Sequence, residues 1–249
     1  MSTSTYLQLC QETQAACDIS GTPISSVANQ IGILKDLVRW VADADIVIQR
    51  EAINWDFLYK TDFTVNTVVG IADYVKPSDY GKWDRKTFFL DYTTDTNIKL
   101  REIDYRVYFN TYAVGVQTNG PPNNFIIQPG GNLSIYNPPD QVYTLTANYW
   151  RTAKRMTANG DVSLIPETFI RAIIARAKMY YAISEEADRV YAEAKGEYGD
   201  VLSELKSDQL PGWEDYLISD GVDLTVSTDG FTGDVGGGGS FNSGFNSGF

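Results

Sequence analysis

Two pairs of adjacent carboxylates, Glu185-Glu186 and Glu214-Asp215, are the residues of this 249-residue chain best suited by type to acid–base chemistry. A glycoside hydrolase needs two such groups held across a scissile bond. Neighbouring acids at a helix start or in a tail serve instead as capping or solvated groups, and that is how both pairs read here. The chain contains no histidine. This removes Ser-His-Asp and Cys-His nucleophile systems, histidine metal sites and the commonest general base near neutral pH. Cys10 and Cys17 are the only cysteines. Seven residues apart on a helix, they lie about 10.5 Å apart along its axis, too far for a disulfide. They read as small apolar thiols facing a core.

Other constellations are equally sparse. Asp220-Gly-Val-Asp223 and Asp229-Gly230 are similar to parts of calcium loops but lack the closing glutamate of an EF-hand. Gly236 to Gly239 do not join a strand to a helix, so they do not form a phosphate cradle. Trp150-Arg151-Thr-Ala-Lys154-Arg155 is the densest basic and aromatic cluster. It reads as a linker, with an acidic neighbour or DNA phosphates as the alternative. No metal or cofactor is expected. One feature points outward: Phe241, Phe245 and Phe249 recur every four residues behind the glycine run. Rings spaced along a flexible strand suit an arm that orders on a partner.

The elements that position these residues follow from periodicity. A first helix is expected over about Ser4 to Asp18, with Tyr6, Leu7, Leu9, Cys10, Ala16 and Cys17 on its apolar face. A long second helix is expected from Ile24 to between Trp55 and Leu58, capped by Ser25 or Ser26. Its first apolar stripe runs Val27, Ile31, Leu34, Val38, Val41, Ile48, Ala52, Trp55, interrupted by Asp45. A second runs Ile33, Leu37, Trp40, Ala44, Val47. Together they cover over half the circumference. Either the second stripe packs on the later helices, or it meets another subunit; Leu37, Trp40 and Val47 are then the interface candidates.

From Thr61 to Trp150 the period becomes two. Phe63 to Val69, Phe88 to Leu90, Ile98 to Ile103 and Tyr143 to Tyr149 read as strands. Asn124 to Gln128 and Leu133 to Tyr136 form a hairpin around Pro129-Gly130-Gly131-Asn132. A short helix is expected over Asp104 to Tyr112. Helical period returns at Pro166-Glu167 with a face of Phe169, Ile173, Ala177, Tyr180 and Tyr181. It breaks at Ser184 to Ala187 and resumes through Tyr191, Ala194, Tyr198 and Leu205. The fold class is α+β: a helical bundle with an inserted β-rich module and an extended Gly-rich C-terminal arm. The parts are 1–60 (N-terminal helices), 61–150 (β module), 151–208 (helical hairpin) and 209–249 (arm).

Net charge is −12, and seven acids follow Lys206 without a base. Such a chain does not seek phosphate backbones, although acidic walls let DNA slide past. No apolar run is long enough to span a membrane, and the N-terminus lacks a secretion signal. The sixteen tyrosines suit surfaces half in contact and half wet.

The order of parts resembles the bacteriophage head–tail adaptor, or connector, family. The resemblance is carried by Tyr6-Leu7-x-Leu9, Ile19-Ser20-Gly21, and Ile48-Gln49-Arg50 with Trp55-Asp56-Phe57. It continues through Tyr143 to Trp150, Asp161 with Ile165-Pro166-Glu167-Thr-Phe169, and Ala182 to Tyr198, covering about Tyr6 to Leu210. It implies a virion structural protein without catalytic residues, made in the host cytoplasm and built into the head–tail junction. Such adaptors form a ring, usually of twelve copies, joining the portal to tail or nozzle proteins and continuing the DNA channel. C-terminal arms in the group commonly dock onto the portal. The alternative expectation is a tail or host-recognition protein binding carbohydrate through Trp83, Tyr92, Tyr105 and Tyr108 of the β module.

Overall fold

The structure, a computed structural model, describes residues 3–93 and 96–210, which belong to one compact unit. It is α+β: α-helices at both ends of the described sequence flank a central segment that forms two sheets.

Helix α1 (Tyr6–Ala16) starts at a capping box in which Thr5 and Gln8 satisfy each other's backbone N–H groups. It ends with Asp18 in the left-handed region, where Ile19 N–H reaches Gln14 O and Asp18 N–H reaches Ala15 O. This is a Schellman closure without glycine.

Helix α2 spans Gly32–Glu51, eight residues shorter at its start than its apolar period suggests. Asn29 and Gly32 both take positive φ, which a continuous helix cannot cross. Side chains satisfy the preceding backbone instead. Gln14 Oε1 accepts from Ile24 N–H, Gln11 donates to Ile24 O, and Asn159 Oδ1 accepts from Val27 N–H at 2.7 Å. The expected Ser25 or Ser26 cap is therefore replaced by Ile31, which makes no side-chain cap bond. At the other end the helix stops before Ala52. Trp55 folds back, fully buried, and its indole N–H donates to Ile48 O.

Pro166 opens a 3₁₀ turn, Glu167–Phe169, rather than the helix itself; α4 (Arg171–Ser184) follows at once. The Glu167 carboxylate accepts from Thr3 N–H, Ser4 N–H and Ser4 Oγ, pinning the first residues. Helix α5 (Asp188–Gln209) begins after a second Schellman turn, with Glu186 at φ 54° and Ala187 N–H bonded to Ala182 O. Helix α4 lies centrally, against α1, α2 and α5. Its buried Ala172, Ala175, Ala177 and Ala182 let those neighbours approach closely.

Between α2 and α4 the chain builds two sheets around one core. In the first, β9 (Thr144–Arg151) pairs on one edge with β1 (Tyr59–Asn66). On its other edge it pairs with β3 (Tyr80–Trp83) near one end and β4 (Phe89–Thr93) near the other; β5 (Thr96–Lys99) extends β4. The second has the order β2 (Asp73–Tyr74), β8 (Leu133–Tyr136), β7 (Asn124–Ile127), β6 (Arg101–Glu102). The single strand expected over Ile98 to Ile103 thus divides, one half in each sheet, with buried Leu100 at the crossing. Tyr143, Leu145, Ala147 and Tyr149 turn inward as their alternation requires. Phe88 and Phe125 stack across the sheets at 3.9 Å. Gly131, at φ 85°, closes the β7–β8 turn, and its carbonyl accepts from the Trp83 indole N–H. The expected helix near 104–112 is a single turn, α3 (Tyr105–Val107), widened into a π turn over Tyr108–Tyr112.

Candidate assembly surfaces

Glu185 and Glu186 stand exposed at the α4–α5 turn, their backbone shaping the closure. Among the described residues there is no group of three or more His, Cys, Asp or Glu that could hold a metal. The thiols of Cys10 and Cys17 are buried, and burial pushes them up to about 12 and about 11. Such thiols are inert near neutral pH. No helix of the described residues is long and apolar enough to cross a membrane.

The buried polar chemistry is architectural. Asp45, the one interruption of the first stripe, is fully enclosed. It accepts from Ser163 Oγ at 2.6 Å and Gln49 Nε2 at 2.7 Å, while Gln49 Oε1 accepts from Lys154 N–H. This network fastens α2 to the segment leading into α4. Burial raises Asp45 to about 6, against the lowering effect of its hydrogen bonds. The tyrosines are used similarly. Tyr59 donates to Asp84, Tyr149 to Asp79, Tyr143 to Asp140, and Tyr6 to Val38 O. Burial, then the Asp84 bond, pushes Tyr59 up to about 12.

The basic and aromatic cluster that begins in the last two residues of β9 is dispersed. Trp150 packs on Tyr59, Arg151 donates to Phe57 O, and Arg155 pairs with Asp43. It works as the bridge from the sheet to α2, with Lys154 and Arg155 exposed. Trp83 is withdrawn from any sugar. It is 1% exposed, ringed by Phe63, Tyr80, Phe88 and Tyr149. Tyr105 stacks on Phe109 and Tyr108 meets Tyr136. The Tyr92 side chain lies outside the described residues.

The interface candidates on α2 divide. Leu37 is 0% exposed and Trp40 is 9% exposed, with Trp40 set edge-on to Tyr181 of α4. Both pack in the chain's own core, Leu37 entirely so, while an edge of Trp40 also lines the groove beside Val47. Val47 is 36% exposed, and with Ile46, Arg39, Arg50 and Arg155 it lines an open groove. Between Leu37 and Ile48 the two stripes thus merge into one largely buried face packed against α4 and α1, while Ile31, 83% exposed, stands outside it. Phe241, Phe245 and Phe249, the four glycines and the Asp220–Gly230 motifs lie outside the described residues.

A second apolar surface was not foreseen. The Tyr59–Trp150 end of β1 and β9 abuts the helical core, and the Asn66–Thr144 end points away from it. At that far end, Thr67 N–H bonds to Tyr143 O and Gly70 N–H to Pro139 O, bringing two loops together. They expose Val68, Val69, Ile71 and Val142. The nearby segment after α3 exposes Phe109, Val114 and Val116. Single exposed apolar residues are ordinary, whereas a cluster rimmed by polar groups marks a contact surface. Strand β1 stops at Asn66, short of the Val69 end expected from the alternation, and the residues left over include the exposed Val68 and Val69.

Residues 4–215 match the SU10 adaptor protein family, a phage head–tail adaptor family. The chain belongs to that family. The match takes in the helices and both sheets, so it characterises the whole described fold. Family membership makes this a phage adaptor, a structural component of the virion at the head–tail junction whose partners are head and tail proteins. It implies a non-enzymatic role. No curated protein matches the chain in sequence.

Proposed function

We propose that this adaptor forms a ring, of twelve copies by family resemblance, that joins the portal to tail or nozzle proteins and continues the DNA channel. The observation that carries the reading is the family match over residues 4–215. Two further features support it: apolar residues exposed at the far end of the sandwich, and a net charge of −12 that gives passing DNA little to adhere to. Affinity comes from repetition, because many weak contacts in a closed ring act together. The C-terminal arm adds Phe241, Phe245 and Phe249 as anchors on the portal.

Mixing the purified chain with the portal protein of the same phage tests this. A stoichiometric ring complex in electron micrographs is the expected result. A chain that stays monomeric and ignores the portal refutes it. Deleting Gly236 to Phe249 weakens docking and leaves the melting temperature unchanged; undiminished docking removes the arm from the account.

A further inference from the structure

Helix α2 leaves one face uncovered, bordered by Tyr180 of α4 along the groove of Val47. Opposite its buried Val41 and Ile48 run Lys35, Arg39, Ile46, Val47 and Arg50, joined by Arg155 from the segment after β9. Asp36 pairs with Arg39 and Asp43 with Arg155. Lys35 and Arg50 make no ion pair among the described residues. With four cations against two acids, the face is positive, in a chain that is acidic overall.

Helix α5 carries the complement. Glu193, Glu197, Asp200, Glu204 and Asp208 recur at spacings of four, three, four and four, which places them along one flank. Arg189 pairs with Glu193 and Arg171 with Glu197; Asp200 and Glu204 make no ion pair among the described residues. Tyr198 and Lys206, on a different side of α5, both reach Glu51 at the end of α2. The acidic flank is therefore turned away from α2 of its own subunit. Lys35 and Arg50, like Glu193 and Asp208, stand fifteen positions apart, about 22 Å along the helix.

We infer that the outer face of α2 docks on the acidic flank of α5 in a second copy of this chain. The inference rests on the ring reading above and supplies its subunit interface. The two faces are different surfaces of one subunit, so the contact is heterologous. Repeated by a closing rotation, it makes a ring rather than a two-fold dimer. Ile46 and Val47 supply apolar contact at the centre, and the charges set register and partner choice. Exposed ion pairs are individually weak, so salt opposes assembly.

The test uses residues that make no ion pair among the described residues, so that the described fold keeps its own contacts. Lys35→Glu with Arg50→Glu, and separately Asp200→Lys with Glu204→Lys, are compared with the wild-type chain by mass photometry, with and without portal. Each variant alone should need at least tenfold more protein to assemble. An equimolar mixture of the two should form rings again, because every contact in an alternating ring is then complementary. Unchanged melting temperatures verify folding. If the wild type forms rings and either variant does so equally well, or the mixture fails to recover, this pairing is wrong and the ring reading stands. If the wild type forms no ring even with portal, the ring reading falls and the interface falls with it.

Discussion

Asp45 shows how a residue that breaks a pattern can define a joint. Its carboxylate is held by Ser163 and Gln49 in full enclosure, and burial raises it to about 6. The sign of the consequence is opposite to that of a salt-bridged acid. Between about pH 4 and pH 6 the folded state keeps a proton that the unfolded state has released, so stability falls as pH rises through that window. At pH 7 the ionised group costs on the order of 3 kcal/mol relative to its protonated form. Asp45→Asn keeps an acceptor for Gln49 and gains a donor for Ser163. It should therefore unfold later than wild type in urea at pH 7.5, with the difference shrinking through the window and vanishing only below about pH 4. A gap that stays constant with pH would mean that Asp45 does not titrate there. The cysteines give a second residue-scale expectation. Buried and pushed up to about 12 and about 11, Cys10 and Cys17 should resist iodoacetamide at pH 8 until the chain is unfolded. Labelling at the free-thiol rate in the native state would contradict their burial.

Among the elements, α2 separates covering from docking. Trp40 and Val47 share a stripe, yet one is core and the other surface. Trp40→Ala should cost about 3–5 kcal/mol of folding stability, as large core truncations do. Val47→Asp should stay within about 0.5 kcal/mol of wild type and reduce assembly. Equal melting losses for both would place Val47 in the core as well. The α4–α5 turn offers a gain. Glu186 occupies the left-handed region, where a Cβ is penalised by roughly 1–2 kcal/mol and glycine is not. Glu186→Gly should raise stability by about 0.5–1 kcal/mol, offset in part by the freer unfolded chain. Thermal unfolding would decide it, and a loss would show that the Glu186 side chain does more than turn the backbone.

For the whole molecule, the two cores meet where the chain passes between them, at Leu58–Tyr59 and Trp150–Arg151. Trp150 packs against the helical core while its strand anchors the sandwich, and Arg151 donates back to Phe57 O. This arrangement sets the far loops of the sandwich, with Val68, Val69, Ile71 and Val142, well apart from the helical faces. In the proposed ring an adaptor holds its neighbours and also meets proteins above and below. Surfaces separated in this way let those contacts form independently. Val68→Asp with Ile71→Asp should leave ring formation intact and weaken binding of a head or tail partner, measured by co-sedimentation. Loss of rings instead would assign the loops to contacts between copies.

Local pattern by itself determined the kinds of element and their order. The β7–β8 hairpin, the inward face of β9, the break at Ser184 to Ala187 and the α+β class all follow from residues within a few positions of one another. Resemblance of the same scattered residues reached the adaptor family. Only the tertiary structure decided where α2 begins, because Gln11, Gln14 and Asn159 reach its leading segment from other elements. It alone decided that Leu37 and Trp40 are core and Val47 is surface, that Trp83 is enclosed by rings, and that Asp45 binds Ser163, 118 residues away. The physical reason is the same in each case. Periodicity states which side chains leave water together, but which chain covers them, and which polar group reaches across to satisfy them, is set by contacts that no local spacing encodes.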